Sequence, residues 1–166
     1  MSTNNISEQF SLIYKEHSAS ITRLCYLYLG DSDLAQDAAQ ETFIKAYRKL
    51  SSFKGNSSLN TWLTAIAINT CKSLMRSKHY KKTVSLDEAI GVPASITDKE
   101  TNLSVSEAVH SLPEEFRTVI LLKYYRELKA DEIAKMLKIP VTTVNYRLSK
   151  AKELLKELLK EDFDYD

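Results

Sequence analysis

The sequence predicts an almost wholly α-helical protein organised as two small helical domains. Three Gly and three Pro among 166 residues are too few for a turn-rich β architecture. Apolar residues recur at intervals of three and four along several long segments, which is the period of an amphipathic helix. That period lapses between residues 77 and 102, and so long an irregular stretch is improbable inside one compact domain. We therefore predict domains at residues 1–78 and 103–166, joined by a linker at residues 79–102.

The first domain contains three predicted helices. The first helix ends at Gly30, because glycine favours helix C-termini, and Asp31 or Ser32 can cap the second. After a loop, the third helix runs from Leu59 to about Ser77. In the first two helices, the residues predicted to form the apolar faces are Phe10, Ile13, Tyr14, His17, Ile21, Leu24, Cys25, Tyr28, Ala35, Ala39, Phe43, Ala46, Tyr47 and Leu50.

The second domain contains four predicted helices. A short helix lies near residues 103–112, and Pro113 starts the next one, since proline is favoured in a first helical turn. A helix over residues 131–137 follows and is ended by Pro140. The inward residues of the last helix are Val144, Leu148, Ala151 and Leu155.

The last two predicted helices have the form of a helix-turn-helix, a motif whose second helix enters the major groove of duplex DNA. Ala134 is small enough for the two helices to approach closely. Hydroxyl, amide and basic side chains on the outer side of the last helix suit base edges and phosphates. An ordinary helical hairpin with a solvated polar face is the alternative. The candidate DNA-contacting residues are Thr142, Thr143, Asn145, Tyr146, Arg147, Ser149, Lys150 and Lys152.

Composition excludes several classes of protein. No apolar run reaches the ~18 to 20 residues needed to span a bilayer, and the polar start lacks secretory features, so we expect a cytoplasmic protein. Cys25, Cys71 and the three histidines lack metal-ligand spacing, and the two thiols are expected to be buried or incidental. No Gly-rich phosphate loop or catalytic triad can be argued from spacing. We expect no metal, no cofactor and no enzymatic activity.

Charge is unevenly distributed along the chain, although the net charge is only +1. Residues 1–82 carry a net charge of +5, residues 83–103 a net charge of −3 and residues 104–166 a net charge of −1. A basic first domain and an acidic linker are compatible with nucleic-acid binding by part of the chain.

Two sets of motifs resemble one known family. Residues 111–117 (SLPEEFR), 132–134 (EIA) and 139–144 (IPVTTV) resemble region 4 of bacterial RNA polymerase sigma factors of the extracytoplasmic-function class. Residues 37–43 (DAAQETF) and 53–57 (FKGNS) resemble region 2 of the same family, as do TWL at 61–63 and IAIN at 66–69. The resemblance covers about residues 8 to 160 in the family's order.

The resemblance implies that the second helix binds the β′ coiled coil of core RNA polymerase. An exposed isoleucine among carboxylates and amides is a weak sign of a partner surface, and a simple solvated face is the alternative. The candidate residues, which share one face opposite the buried side, are Asp37, Gln40, Glu41, Ile44 and Arg48.

The resemblance also implies that the loop at residues 51–58 and the third helix read and open the −10 element. Polar groups suit a flipped base, and Trp62 can replace its lost stacking; an ordinary core position is the alternative for Trp62. The candidate residues are Lys54, Asn56, Ser57, Asn60, Thr61, Trp62, Asn69, Lys72 and Arg76, with Lys78, Lys81 and Lys82 extending the basic run.

The remaining implications concern the second domain, the linker and the partners. The helix-turn-helix would read the −35 element beside the β flap of polymerase, and the acidic linker would lie along the RNA exit path. A plain flexible tether explains the linker equally well. Family members are commonly held by an anti-sigma factor, often membrane-anchored. A two-domain helix-turn-helix regulator that does not join polymerase is the alternative for the whole chain.

Three positions depart from the family pattern. Lys129 stands where Ser or Thr commonly caps the first helix of the motif, so Asp131 is expected to cap it and start it late. Lys138 replaces the glycine of the turn, and Thr142 replaces a second glycine. Lys138 must either adopt the backbone that glycine permits or accompany a different turn.

Overall fold

The computed structural model describes residues 3–84 and 100–163, and describes side chains for residues 3–77 and 105–160. Over these ranges it contains α-helices, short 3-10 and π-helical turns, and no strand, which confirms the all-α prediction. The α-helices are α1 (Thr3–Leu29), α2 (Ser32–Lys49), α3 (Leu59–Val84), α4 (Glu100–Ser111), α5 (Glu114–Ile120), α6 (Ala130–Leu137) and α7 (Val141–Phe163).

Contacts divide the chain into two compact units, Met1–Leu74 and Met75–Asp166, with the boundary inside α3. The prediction of two helical domains is therefore confirmed. Among the described residues, no helix is both long and apolar enough to cross a membrane.

The first unit is built on the packing of α1 against α2. Gly30 ends α1 with a positive φ of 69°, and its N–H donates to the Tyr26 carbonyl at 2.8 Å. Asp31 is the cap of α2: its Oδ1 accepts hydrogen bonds from the N–H groups of Asp33 (2.9 Å) and Leu34 (3.0 Å). This capping was predicted for Asp31 or Ser32, and the structure selects Asp31.

The two cysteines lie together in the core of the first unit. Cys25 on α1 and Cys71 on α3 are free thiols with no exposed surface. A hydrogen bond with Cys25 and burial raise the pKa of Cys71 well above its ordinary value. The expectation of buried thiols is confirmed, and the raised pKa keeps the Cys71 thiol protonated and unreactive.

α3 begins with a side-chain cap and ends later than predicted. The Ser58 hydroxyl oxygen accepts a hydrogen bond from the Thr61 N–H at 3.1 Å. The helix continues to Val84, so the predicted end at Ser77 is wrong. No Gly or Pro stands between Ser77 and Val84, so nothing in this segment breaks the helix at the point where the apolar periodicity lapses.

The predicted linker at residues 79–102 is helical at both of its ends, in α3 and α4. The rest of it, including Gly91 and Pro93, lies outside the described residues. The side chains of Lys78, Lys81 and Lys82, and of the acidic segment at 161–166, lie outside the described side chains.

In the second unit, α5 follows Pro113, as predicted. The Pro113 carbonyl accepts hydrogen bonds from the N–H groups of Phe116 and Arg117, both at 3.0 Å. A π-helical turn, Leu121–Tyr125, continues α5 directly and was not predicted. π-Helical turns widen the helix and re-aim the side chains that follow, and they are frequent at functional sites.

The helix-turn-helix is formed by α6 and α7, with Ile133, Val144 and Ala151 fully buried between the helices and the rest of the unit. α6 begins at Ala130, and Lys129 occupies the cap position without a side-chain hydrogen bond. The predicted late start with Asp131 as cap is therefore wrong. Asp131 lies in the first turn, where its negative charge suits the helix dipole.

In the turn between α6 and α7, Lys138 adopts the left-handed backbone conformation that glycine favours. Lys138 is left-handed (φ 58°, ψ 45°), and its N–H donates to the Ala134 carbonyl. The Ile139 N–H donates to the same carbonyl at 3.1 Å. Lys138 therefore ends α6, and the prediction that Pro140 ends it is wrong. The Pro140 carbonyl instead accepts hydrogen bonds from the first turn of α7.

Candidate nucleic-acid and partner interfaces

The predicted partner face of α2 is largely open to solvent. Asp37, Gln40, Ile44 and Arg48 are exposed, and Ile44 retains 52% of its accessible surface. Glu41 is half-buried and pairs with Lys45, whose Nζ lies 3.2 Å from the Glu41 carboxylate. The structure therefore brings all five predicted residues to the same face, with Glu41 held by a neighbour.

Lys45 connects this face to α3. Its Nζ donates a hydrogen bond of 3.2 Å to the Thr70 hydroxyl, which in turn donates to the Ile66 carbonyl at 2.8 Å. Because Lys45 also pairs with Glu41, the orientation of the Glu41 carboxylate depends on the packing of α2 on α3.

An apolar groove of about 500 Å³ runs beside the partner face, between α1 and α2. Tyr14 and Tyr47 were both placed on predicted apolar faces, yet they keep 50% and 45% of their surface exposed. Both residues do lie on apolar faces, but these faces line an open groove, so the predicted burial of Tyr47 is wrong. The amphipathic pattern does not distinguish a core from an open groove. The groove residues are Phe10, Tyr14, Gln40, Phe43, Ile44, Tyr47 and Arg48.

Aromatic contacts give the groove a fixed shape. The Phe10 ring meets Tyr47 edge to face at 5.1 Å, and the Tyr14 ring meets Phe43 in the same way at 4.9 Å. Edge-to-face pairs of this kind stabilise the rings against one another, so the groove is lined by packed rings with no partner bound. The groove was not predicted from the sequence. Its signal was the number of aromatic residues on α1 and α2, which is larger than one buried face requires.

The predicted −10 loop projects three polar side chains. Lys54, Asn56 and Ser57 are all exposed, and Gly55 between them has a positive φ of 72°, with open space where a side chain would stand. A left-handed glycine produces the sharp bend that turns this loop outward.

Trp62 stands at the base of this loop, stacked on Phe53 with ring centroids 4.8 Å apart and planes inclined by 36°. It is half-buried, and therefore neither a core tryptophan nor a free ring. Asn60 and Thr61 are also half-buried, and the Ser58 hydroxyl donates to the Thr61 hydroxyl at 2.9 Å. Part of the hydrogen-bonding capacity of Thr61 is thus used within the cap of α3.

Further along α3, the predicted duplex-contacting residues differ in exposure. Asn69 and Arg76 are exposed, and Lys72 is half-buried. Their spacing of three and four residues keeps them on one side of the helix.

The outer face of α7 carries most of the predicted −35 residues. Thr142, Asn145, Tyr146, Ser149 and Lys150 are exposed, and Tyr146 keeps 63% of its surface accessible. Lys150 pairs with Glu153 at 3.5 Å. Thr143 is only half-buried on the flank of the helix.

Two predicted residues of α7 are held by groups on the preceding segment. Arg147 lies 3.8 Å from the Glu115 carboxylate, and its side chain keeps 25% of its surface, so it is less open than predicted. The Lys152 Nζ lies 5.4 Å from the centre of the Tyr124 ring, in a cation–π contact. Glu115 and Tyr124 were not predicted, because only the fold brings α5 and its π-helical turn against α7.

Among the described residues, no group of three or more His, Cys, Asp or Glu side chains is arranged to hold a metal ion.

Two family models match the chain, one on each unit of the fold. Residues 13–80 match the model of sigma-70 region 2, and residues 102–155 match the model of sigma-70 region 4. The two regions follow one another in the order predicted from the motifs.

Several curated proteins that are similar to this chain are RNA polymerase sigma factors. The chain is 36% identical to the ECF RNA polymerase sigma factor SigW of Bacillus subtilis, covering 90% of this chain and 86% of that protein. It is 30% identical to the RNA polymerase sigma-H factor of Pseudomonas aeruginosa, with 91% and 86% covered. It is 34% identical to the ECF RNA polymerase sigma-E factor of Escherichia coli, with 88% and 84% covered.

Solved structures share the fold at lower sequence identity. The sigma factor RpoE from Bartonella quintana, in its co-crystal with the anti-sigma factor NepR, matches with a TM-score of 0.78 and 24% identity, covering 92% of this chain and 98% of that one. CnrH, in complex with the cytosolic domain of CnrY, matches with a TM-score of 0.69 and 20% identity, covering 94% and 90%.

The order of the two regions, the all-helical architecture and 36% identity to SigW over nine-tenths of the chain agree. The protein belongs to the extracytoplasmic-function family of RNA polymerase sigma factors, which direct promoter-specific transcription initiation.

Proposed function

We propose that the two regions of this sigma factor divide promoter recognition between them. Region 2, at residues 1–78, binds core polymerase and opens the −10 element; region 4, at residues 103–166, reads the −35 duplex. The observation that carries this division is that each unit presents its own outward set of polar and aromatic side chains. The set on the first unit suits a protein partner and a single strand, and the set on the second suits a major groove.

The polymerase contact centres on the exposed face of α2 and the groove beside it. Ile44 borders an apolar groove, and Asp37, Gln40 and Arg48 surround it with polar groups. An apolar centre with a polar rim is the usual composition of a protein interface. The β′ coiled coil of core polymerase is the proposed occupant, and the β flap is the proposed contact of the second unit.

The −10 contact uses the Gly55 loop and the start of α3. An exposed amide, a hydroxyl and a lysine can hold an unstacked base and its phosphate, with the Phe53–Trp62 pair behind them as a stacking platform. Asn69, Lys72 and Arg76 then follow the adjoining duplex along one side of α3. Loss of permanganate reactivity at −10 thymines in Asn56→Ala would support this role, and unchanged reactivity would contradict it.

The −35 contact uses the first turns of α7. Thr142, Asn145, Tyr146 and Ser149 are exposed together at the N-terminal half of the helix, which is the half that meets base edges in a helix-turn-helix. Lys150 and Lys152 flank them and are suited to phosphates. Transcription from promoters that differ only in the −35 element tests this contact. Different levels of transcription are expected, and equal levels would contradict the contact.

An inhibitory partner completes the proposal. The RpoE structure that shares this fold was solved with the anti-sigma factor NepR, and the CnrH structure with the cytosolic domain of CnrY. An anti-sigma factor, soluble or membrane-anchored, would cover the open aromatic groove of the first unit. The sigma factor itself would then act in the cytoplasm, by binding alone and without covalent chemistry.

Co-purification with core polymerase tests this assembly. A regulator that never joins polymerase has no use for the aromatic groove or for the Gly55 loop. Stable recovery of the chain with tagged core polymerase is expected, and recovery of DNA binding without polymerase binding would contradict the proposal.

A further inference from the structure

We infer that the Glu115–Arg147 ion pair is a specificity-determining element that fixes the recognition helix α7 on α5, so that Arg147 positions the base-reading residues and is not itself a reader. This inference rests on the proposed reading of the −35 element by α7. It assigns a role to Glu115, which is not among the residues predicted to contact DNA.

The position of Arg147 around α7 supports this role. An α-helix turns by about 100° per residue, so Arg147 lies about 60° from Val144, whereas Tyr146 lies about 160° from it. Val144 and Ala151 are fully buried, whereas Tyr146 keeps 63% of its surface exposed. Arg147 therefore leaves the helix from the edge of its buried stripe, beside α5 and away from the face that enters the groove.

The contact on α5 is made by Glu115, whose position along the helix is set by the packing of α5. Glu115 lies in the first turn of α5, where the helix dipole favours a negative charge, and Pro113 sets the start of that helix. Thr118 and Val119, on the following turn, are buried in the unit core. The Glu115 carboxylate lies 3.8 Å from the Arg147 guanidinium, so it holds the side chain toward α5.

Loss of the ion pair should affect the discrimination between −35 sequences more than the overall affinity for DNA. Base contacts depend on the placement of α7 to a fraction of an ångström, whereas phosphate attraction depends mainly on the number of positive charges. Both partners are partly exposed, at 25% and 53% of side-chain surface, so the pair is worth about a fivefold effect at most. Loss of the pair should lower the preference for the correct −35 sequence by about fivefold and leave DNA binding to scrambled sequence nearly unchanged.

A charge-swap cycle tests the inference. Glu115→Arg, Arg147→Glu and the double variant are compared with the wild type in run-off transcription with core polymerase. The templates are a responsive promoter and the same promoter with a scrambled −35 element. Each single variant should lower the preference by up to about fivefold, and the double variant should recover it to within about twofold. Glu107→Arg, an exposed reversal on α4, is the control and should not rescue Arg147→Glu.

Two results would overturn the inference. A double variant no better than Arg147→Glu would show that Arg147 acts on DNA itself, because an arginine placed on α5 could not replace it. Equal rescue by Glu107→Arg would show that only total charge matters. Thermal unfolding of the four proteins without DNA gives a second reading: the double variant should regain the unfolding midpoint that Arg147→Glu loses.

The same experiment separates this inference from the proposed function. A wild-type protein that transcribes without any −35 preference overturns the proposed role of α7, and the inference falls with it. A wild-type protein with a −35 preference and a double variant without recovery overturns only the role of the pair.

Discussion

Phe53 and Trp62 stack across the entrance to α3, with ring centroids 4.8 Å apart. The loop between them carries Lys54, Asn56 and Ser57 outward around a left-handed Gly55. The stacked pair therefore closes the base of the loop, so the polar side chains and the aromatic platform are held as one unit.

Replacing Phe53 by alanine should release Trp62 and weaken promoter opening. A ring pair contributes about 0.5–1.5 kcal/mol beyond the area it buries, so Trp62 should become more hydrated and less ordered. Trp62 is the single tryptophan of the chain, so its fluorescence reports on this contact alone. We expect a red-shifted emission and several-fold lower permanganate reactivity at the −10 element. Phe116→Ala, in the second unit, should leave the spectrum unchanged; an unshifted spectrum in Phe53→Ala would contradict the stacking role.

Reversing the charge at Glu41 should weaken binding to core polymerase while the chain stays folded. The substitution Glu41→Lys removes the partner of Lys45 and places two positive charges together on the proposed interface. We expect at least tenfold weaker affinity in a binding titration, since lost charge pairs at interfaces cost about 2 kcal/mol or more. Glu16→Lys makes the same charge change at an exposed site of α1 outside the groove. Equal losses in the two variants would remove Glu41 from the interface.

Replacing Lys138 by glycine should stabilise the protein. A left-handed backbone costs an L-residue about 1–2 kcal/mol, and glycine avoids most of that cost while gaining some freedom in the unfolded chain. We expect a net gain of about 1 kcal/mol, measured from urea unfolding followed by circular dichroism. Lys135→Gly is the matched control inside α6, where glycine should destabilise by about 1 kcal/mol. A loss of stability in Lys138→Gly would mean that the side chain contributes more than the backbone strain.

Truncating Tyr146 should reduce discrimination among −35 sequences. Its ring is the largest exposed group on the first turns of α7, and a base contact in the major groove is worth about 1–3 kcal/mol. We expect Tyr146→Ala to lower the ratio of transcription from correct and altered −35 elements roughly tenfold. Leu158→Ala truncates an exposed residue farther along the same helix and should keep the ratio. An unchanged ratio in Tyr146→Ala would exclude this residue from base reading.

The buried Cys71 thiol should make stability fall at alkaline pH. Because the folded pKa of Cys71 is raised, the folded chain retains its proton where the unfolded chain has lost it. Stability from this group is therefore complete below an unfolded pKa of about 8.5 and declines as pH rises above it. We expect the urea midpoint of the wild type to drop more between pH 8 and 9.5 than that of Cys71→Ala. Parallel curves would contradict the raised pKa.

Local signals in the sequence predicted most of the fold. Asp31 and Pro113 stand at the starts of α2 and α5, as the capping preference of Asp and the backbone of Pro predicted. Val144, Leu148 and Ala151 are buried, as their spacing predicted. These residues are determined by capping, backbone geometry and the helical period, all of which act over a few residues.

The failures have a common physical reason. Tyr47 lies on an apolar face that meets an open groove, and α3 continues to Val84 although the apolar periodicity of the sequence lapses at about Ser77. The Glu115–Arg147 pair joins residues that only tertiary packing brings together. The periodicity of the sequence indicates whether one side of a helix is apolar or polar. It does not indicate whether that side packs in a core, lines an open groove or contacts a particular residue.

Run-off transcription with purified core polymerase on a library of randomised promoters tests the two-site reading most directly. The expected result is a set of active promoters with two conserved elements at one fixed spacing. Substitutions at Tyr146 should alter only the upstream element, and substitutions at Asn56 only the downstream one. Active promoters that share a single element, or variants of either residue that alter both elements alike, would contradict the division of recognition between the two regions.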